Sequence, residues 1–192
     1  MTHSARKSAH TTATVLSAVA VVAMCVFIFA FSSQPADDST ELSMGVVYHI
    51  IGFIVPGYDQ MSPDEQWRWQ QALDHPVRKT AHFLEYALLG VLWLNLLARL
   101  SFRRAADTPN DQTRRSLSFT SLSAPSPRTC ALAVALSALY ACTDEIHQLF
   151  VADRAGMITD VLLDSCGAIF GIALFALVLH LKAKSRQRKD VH

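Results

Sequence analysis

Charge is what this sequence has least of. Only 17% of its 192 residues are Asp, Glu, Lys or Arg, while 51% are hydrophobic; a soluble domain carries about 25% charge. The deficit argues against a soluble domain. The net charge of +1 argues against a nucleic-acid partner, which needs a basic surface. Cysteine is also sparse. Cys25, Cys130, Cys142 and Cys166 each sit in an apolar run. None forms a CxxC pair or has metal-ligand spacing, so they read as small apolar packing groups and no metal is expected. There is no internal repeat, no Gly-rich phosphate loop and no other cofactor motif, so no cofactor is expected either. HExxH and the nucleophile elbow are missing too.

What is present is four apolar segments, each of a length to cross about 30 Å of hydrocarbon. They are Ala13–Phe31, which has no charge, Thr80–Leu100, Thr129–Phe150 and Met157–Leu181. The last three carry ionisable residues near one end only. The first follows a basic lead, residues 1–12, and resembles a signal peptide. Its apolar run is longer than the roughly 7–15 residues of a signal core, so an uncleaved helix is expected. The fold class is therefore all-α: a polytopic four-helix transmembrane bundle, with one long external loop carrying short interfacial helices.

Lys and Arg set the orientation. Thirteen of the seventeen lie in the N-terminal lead, in or beside the loop after the second span, or in the tail 182–192. Arg68, Arg78, Lys79 and Arg154 are the four on the other side. An even number of spans then places both termini in the cytoplasm.

The external loop, Ser32–Val77, is acidic. Within it Glu41–Val55 mixes apolar and polar positions as an interfacial segment does. Ser62-Pro63-Asp64-Glu65 reads as a capping box opening a second short helix, and Trp67 and Trp69 place that helix at headgroup depth. The internal loop, Ser101–Arg128, is rich in Ser, Thr, Pro, Arg and Asp and reads as disordered.

The polar ends of the spans carry the chemistry. At 100° per residue, Arg78, His82 and Glu85 share a face of the second span, with Lys79 and Tyr86 beside it. Asp144, Glu145 and Gln148 share a face of the third, and His147 points away from it. Asp160, Asp164, Gly167 and Gly171 form a stripe on the fourth, where the GxxxG step allows close packing against the second or third span. The spans alternate in direction, so Glu85, Asp144 and Asp164 fall in one layer, on the order of 10 Å below the outer surface. Arg154 sits above them. An ionised group facing lipid costs about 2.5–3.5 kcal/mol, so these side chains must face one another. Five carboxylates oppose three cations. A proton on His82, a neutral carboxyl or a bound cation each resolves the excess, and the sequence leaves all three open.

Several of these pieces resemble the VanZ-like family: Ser32-Ser33-Gln34, the run Arg78 to Tyr86, the run Asp144 to Phe150, Arg154, and Asp160 to Gly167. Asp164 departs from the family's common Asn. The resemblance implies a bacterial cytoplasmic (inner) membrane protein. The family is named for an accessory protein that lowers susceptibility to the glycopeptide teicoplanin. That implies a link to glycopeptide susceptibility but supplies no biochemical activity.

Three functions compete. In the first, Arg78, Lys79 and Arg154 bind an anionic envelope component, such as a lipid-linked phosphate, with membrane lipid as the surrounding partner. In the second, His82 with Glu85 or Asp144 does acid–base catalysis on a lipid-linked envelope precursor. In the third, the intramembrane acids and His82 serve a small proton-coupled carrier, for which an oligomer would supply the missing helices. With no specific catalytic motif, the balance favours binding over catalysis.

Overall fold

The computed structural model describes residues 3–34, 36–107, 125–152 and 154–189. They form five α-helices and one 3-10 turn. The helices are α1 (His3–Ser32), α2 (Ala36–Ile54), α3 (Pro63–Asp107), α4 (Pro127–Gln148) and α5 (Ile158–Lys189), and the turn is Tyr58–Gln60. No strand occurs among the described residues. Four stretches are long and apolar enough to cross a membrane: His10–Ser32, Pro63–Ser101, Pro127–Gln148 and Ile158–Lys182. Residues 108–124, the greater part of the loop read as disordered, lie outside the described residues.

Large apolar side chains on all four point outward, among them Val19, Phe27, Leu88, Leu139, Phe170 and Leu177. In water such a surface would be an aggregation hazard. In lipid it is the solvated face. The interior is correspondingly built from small groups and close contacts.

α3 is the hub and packs most extensively on α5. The reason is a row of residues without side-chain bulk. A Cβ on Gly167 would strike the Phe83 carbonyl, one on Gly171 the Ala87 carbonyl, and one on Gly90 would come within 2.9 Å of the Ala168 carbonyl. The pairing of Phe83 with Gly167 and of Ala87 with Gly171 makes the two helices parallel. Backbones this close gain dispersion contacts that lipid cannot match. The stripe on α5 thus faces α3, one of the two partners expected. α1 lies against α3 through Val21 and Ile28, which join Tyr86, Leu89, Leu96 and Ala141 in a common core.

The region read as external departs from expectation. The helix opened by Ser62 is not a separate short element but the start of α3, a single helix of 45 residues with Pro76 inside it. Its capping box is formed: the Ser62 N–H donates to Glu65 Oε2 at 3.0 Å, and the Glu65 N–H to Ser62 Oγ at 3.4 Å. Pro76 removes one rung of the helix ladder, at a cost of about 3 kcal/mol. Packing on either side of it offsets that cost. Val47 and Ile51 of α2 and Tyr58 are buried together, against Leu73 and Val77 of α3. Gln70 donates to the Tyr58 hydroxyl at 2.8 Å, and Gln66 to the Tyr58 carbonyl at 3.0 Å. α2 and the first turns of α3 thus form a hairpin with its own small core, leaving Trp67, Trp69 and Phe53 exposed, the last at 92%.

Candidate functional site

The polar ends of the spans do converge. α1 ends at Ser32, α4 ends at Gln148, α5 begins at Ile158, and α3 passes between them with His82, Glu85 and Tyr86. The electrostatic neighbours of Asp164 are Glu145, Asp144, Asp160 and Glu85, so three helices contribute carboxylates to one volume. Tyr86, Asp144 and Asp164 are almost fully buried, at 0%, 3% and 2% exposure.

Asp144 is the best-supported acid. Its Oδ2 accepts from the Ser32 hydroxyl at 2.9 Å, and Gln148 donates to Ser32 Oγ at 2.8 Å and more distantly to the same carboxylate oxygen at 3.4 Å. Ser32 therefore donates once and accepts once, using its hydroxyl in both senses. Its proton goes to a carboxylate, not to a histidine, so it is not the activated serine of a hydrolase.

Next to it, Ser33 gives its one hydroxyl proton to the Phe29 carbonyl at 2.5 Å. The contact of 3.1 Å between Ser33 Oγ and His147 Nε2 then requires the proton on the imidazole nitrogen. The His147 ring also rests on Phe29, with centroids 4.4 Å apart. His147 does turn away from the acid face, as expected, but it is not idle: it fastens α4 to α1. Further along α4, Tyr140 donates to the Cys25 carbonyl at 2.6 Å.

The other acids have different fates. Glu145 Oε2 accepts from the Met157 N–H at 2.7 Å, which ties the connection between α4 and α5 to the last turns of α4. That connection lies so close that a Cβ on Gly156 would strike the Glu145 carbonyl. Asp160 takes Lys79 as an ion pair. Glu85 Oε2 lies 3.4 Å from His82 Nδ1, an ion-pair distance, but without the angles of a hydrogen bond, so both atoms count as buried and unpartnered. The Tyr86 hydroxyl, Asp144 Oδ1 and Asp164 Oδ1 share that condition.

The cations form a rim. Arg78 pairs at 3.0 Å with Asp74, one turn earlier on α3, not with the acids of the cluster as the charge count implied. Arg154 is half-buried, and its Nε donates to the Gln34 carbonyl at 3.2 Å. Among the described residues it has no carboxylate within ion-pair distance. Burial pushes its guanidinium below its ordinary pKa and the Arg78 charge pushes the same way, while Asp144 and Glu145 act in the opposite sense. Arg154 and Arg78 are thus near enough to feel one another.

The eleven residues read from the sequence lie about this polar end, where His82 and Glu85 are 3.4 Å apart and Asp144 acts electrostatically on both. Ser32, Ser33, Gln34, His147 and Asp74 complete it and were not counted among them. Among the described residues there is no group of three His, Cys, Asp or Glu with the geometry to hold a metal ion.

A helical membrane protein with a polar centre at one end of its bundle is the class these features define. The chain belongs to the VanZ/LLP1 family, whose model matches residues 17–179 and so takes in the whole site. Neither the curated proteins nor the solved structures yield a match.

Proposed function

We propose that this protein binds an anionic head group, a lipid-linked phosphate at the outer leaflet of a bacterial cytoplasmic membrane, through Arg154, Arg78 and Lys79. The observation that carries this reading is Arg154: a half-buried guanidinium held by its Nε, with the Arg78 charge acting on it and no carboxylate in ion-pair range among the described residues. A positive group kept out of water without a counter-charge is costly. An arriving phosphate repays that cost, since its oxygens match the planar fork of arginine. The excess of Lys and Arg at the opposite ends of the spans supports an outward-facing site with both termini cytoplasmic.

The test is native mass spectrometry of protein extracted gently from its own membrane. The wild type should retain an anionic lipid. Loss of one charge-assisted contact is worth about 1.5–3 kcal/mol, so Arg154→Ala should reduce occupancy by at least about tenfold, and Arg154→Lys should fall between. A wild type without anionic lipid, or an alanine variant that keeps it undiminished, would remove this reading.

A further inference from the structure

Two of the rim cations have acidic partners in protein, Arg78 with Asp74 and Lys79 with Asp160, while Arg154 has a main-chain carbonyl and no carboxylate in ion-pair range among the described residues. Beneath them Glu145 is satisfied by the Met157 N–H. Glu85, Asp144 and Asp164 each retain a buried oxygen with no hydrogen-bond donor. Only Asp164 has neither a donor nor an ion pair among the described residues; Asp144 has Ser32 and Gln148 on its other oxygen, and Glu85 has His82 at 3.4 Å. A buried carboxyl oxygen without a donor is held more easily in the neutral form.

A second observation comes from a residue that is not an acid. The Tyr86 hydroxyl is fully buried and unpartnered, and its strongest charged neighbours are Asp144 and Asp164. The hydroxyl and the two carboxyl groups are thus electrostatic neighbours in the buried interior. A proton held on one of the carboxyl groups supplies a donor that these unpartnered oxygens lack.

We propose that the acidic floor is a proton-binding site: Glu85, Asp144 and Asp164 together hold at least one proton at neutral pH, and an anion arriving on Arg154 and Arg78 draws in another. The second half rests on the anion-binding reading above; the first does not. The charged and titratable groups that act on Asp164 are Glu85 and Tyr86 from α3, Asp144 and Glu145 from α4, and Asp160 on its own helix; Lys79 pairs with that Asp160, and Arg154 acts on His82. The near end of α1 offers the Ser32 hydroxyl. His82 feels Asp144, Arg154, Asp160 and Arg78, so it senses both layers. Negative charge on the rim favours the neutral acids below it. By reciprocity, protonated acids favour the anion, so binding tightens as pH falls.

Infrared difference spectroscopy of the full chain in phosphatidylcholine nanodiscs reads this directly. At neutral pH the wild type should show a carboxylic-acid carbonyl band that shifts in deuterium oxide and weakens in Asp164→Asn. Glu85→Gln serves as the second variant should the first fail to fold. Phosphatidic acid, added as the anionic probe in weak buffer with a pH dye, should cause proton uptake by the wild type that is reduced in either variant. A wild-type spectrum with no such band, or a band unchanged in both variants, overturns the proton site whether or not the anion binds. A band together with anion binding but no uptake overturns the coupling. A band with no anion binding leaves the proton site standing and removes the anion-binding reading.

Discussion

Ser32 fills two roles with a single hydroxyl. It donates to Asp144 and accepts from Gln148, and all three side chains are buried. Ser32→Ala removes both bonds and leaves the amide and the carboxylate only their long 3.4 Å contact. Each unsatisfied buried group costs about 1–3 kcal/mol, so thermal unfolding in detergent should show a clear loss of stability, while a substitution at exposed Ser185 should not. The contrast between Ser32 and Arg78 also marks what a sequence discloses at this scale. Arg78, His82 and Glu85 could be grouped in advance because helical periodicity alone puts them on one face. Ser32 could not, because its partner is 112 positions away and a serine at the end of an apolar run has no pattern of its own. Asp74 was open to inference, standing four residues before Arg78, but it falls inside the stretch Ser32–Val77 read as a loop, and Arg78 falls outside it.

Glycine separates packed from unpacked faces at the scale of elements. Gly167 and Gly171 leave no room for a Cβ, whereas Gly45 and Gly52 on α2 have nothing within 4 Å. Gly171→Val should therefore force α3 and α5 apart, with overpacking costs of about 1–3 kcal/mol or more and a loss of monodisperse protein on size exclusion. Gly52→Ala should be neutral or stabilising by about 0.5–1 kcal/mol, since it relieves only the conformational freedom of a helical glycine. The capping box offers a local counterpart. Ser62→Ala should cost about 1 kcal/mol and appear in hydrogen exchange as faster opening of the first turns of α3, leaving residues beyond Thr80 unchanged.

The spans themselves were legible because hydrocarbon thickness dictates their length. α4 and α5 begin within about two residues of the apolar runs that announced them, helped at α4 by Ser126, whose hydroxyl accepts from the Thr129 N–H at 3.2 Å. A proline ordinarily ends a helix, yet α3 continues through Pro76. Here the apolar contacts of Leu73 and Val77 with α2 lie on both sides of it, and that long-range packing decides the outcome.

For the whole molecule, topology is the statement most exposed to test. In a background with the four cysteines replaced, Asp59→Cys at the hairpin tip should react with a membrane-impermeant maleimide on intact cells. Lys184→Cys near the end of α5 should react only after permeabilisation. The reverse pattern would put the site on the cytoplasmic side and remove the outer-leaflet ligand with it.

At 45 residues, α3 is about 67 Å long, more than twice the thickness of the hydrocarbon. Mechanically it is a shaft that runs from the hairpin, through the bundle, to Arg103 and Arg104 in its last turns. Its backbone ladder is interrupted by proline once, at Pro76, two positions before Arg78. The shaft has its joint directly above the rim. Any rotation of the hairpin about Pro76 would reach Arg78, two positions further on, before the rest of the site.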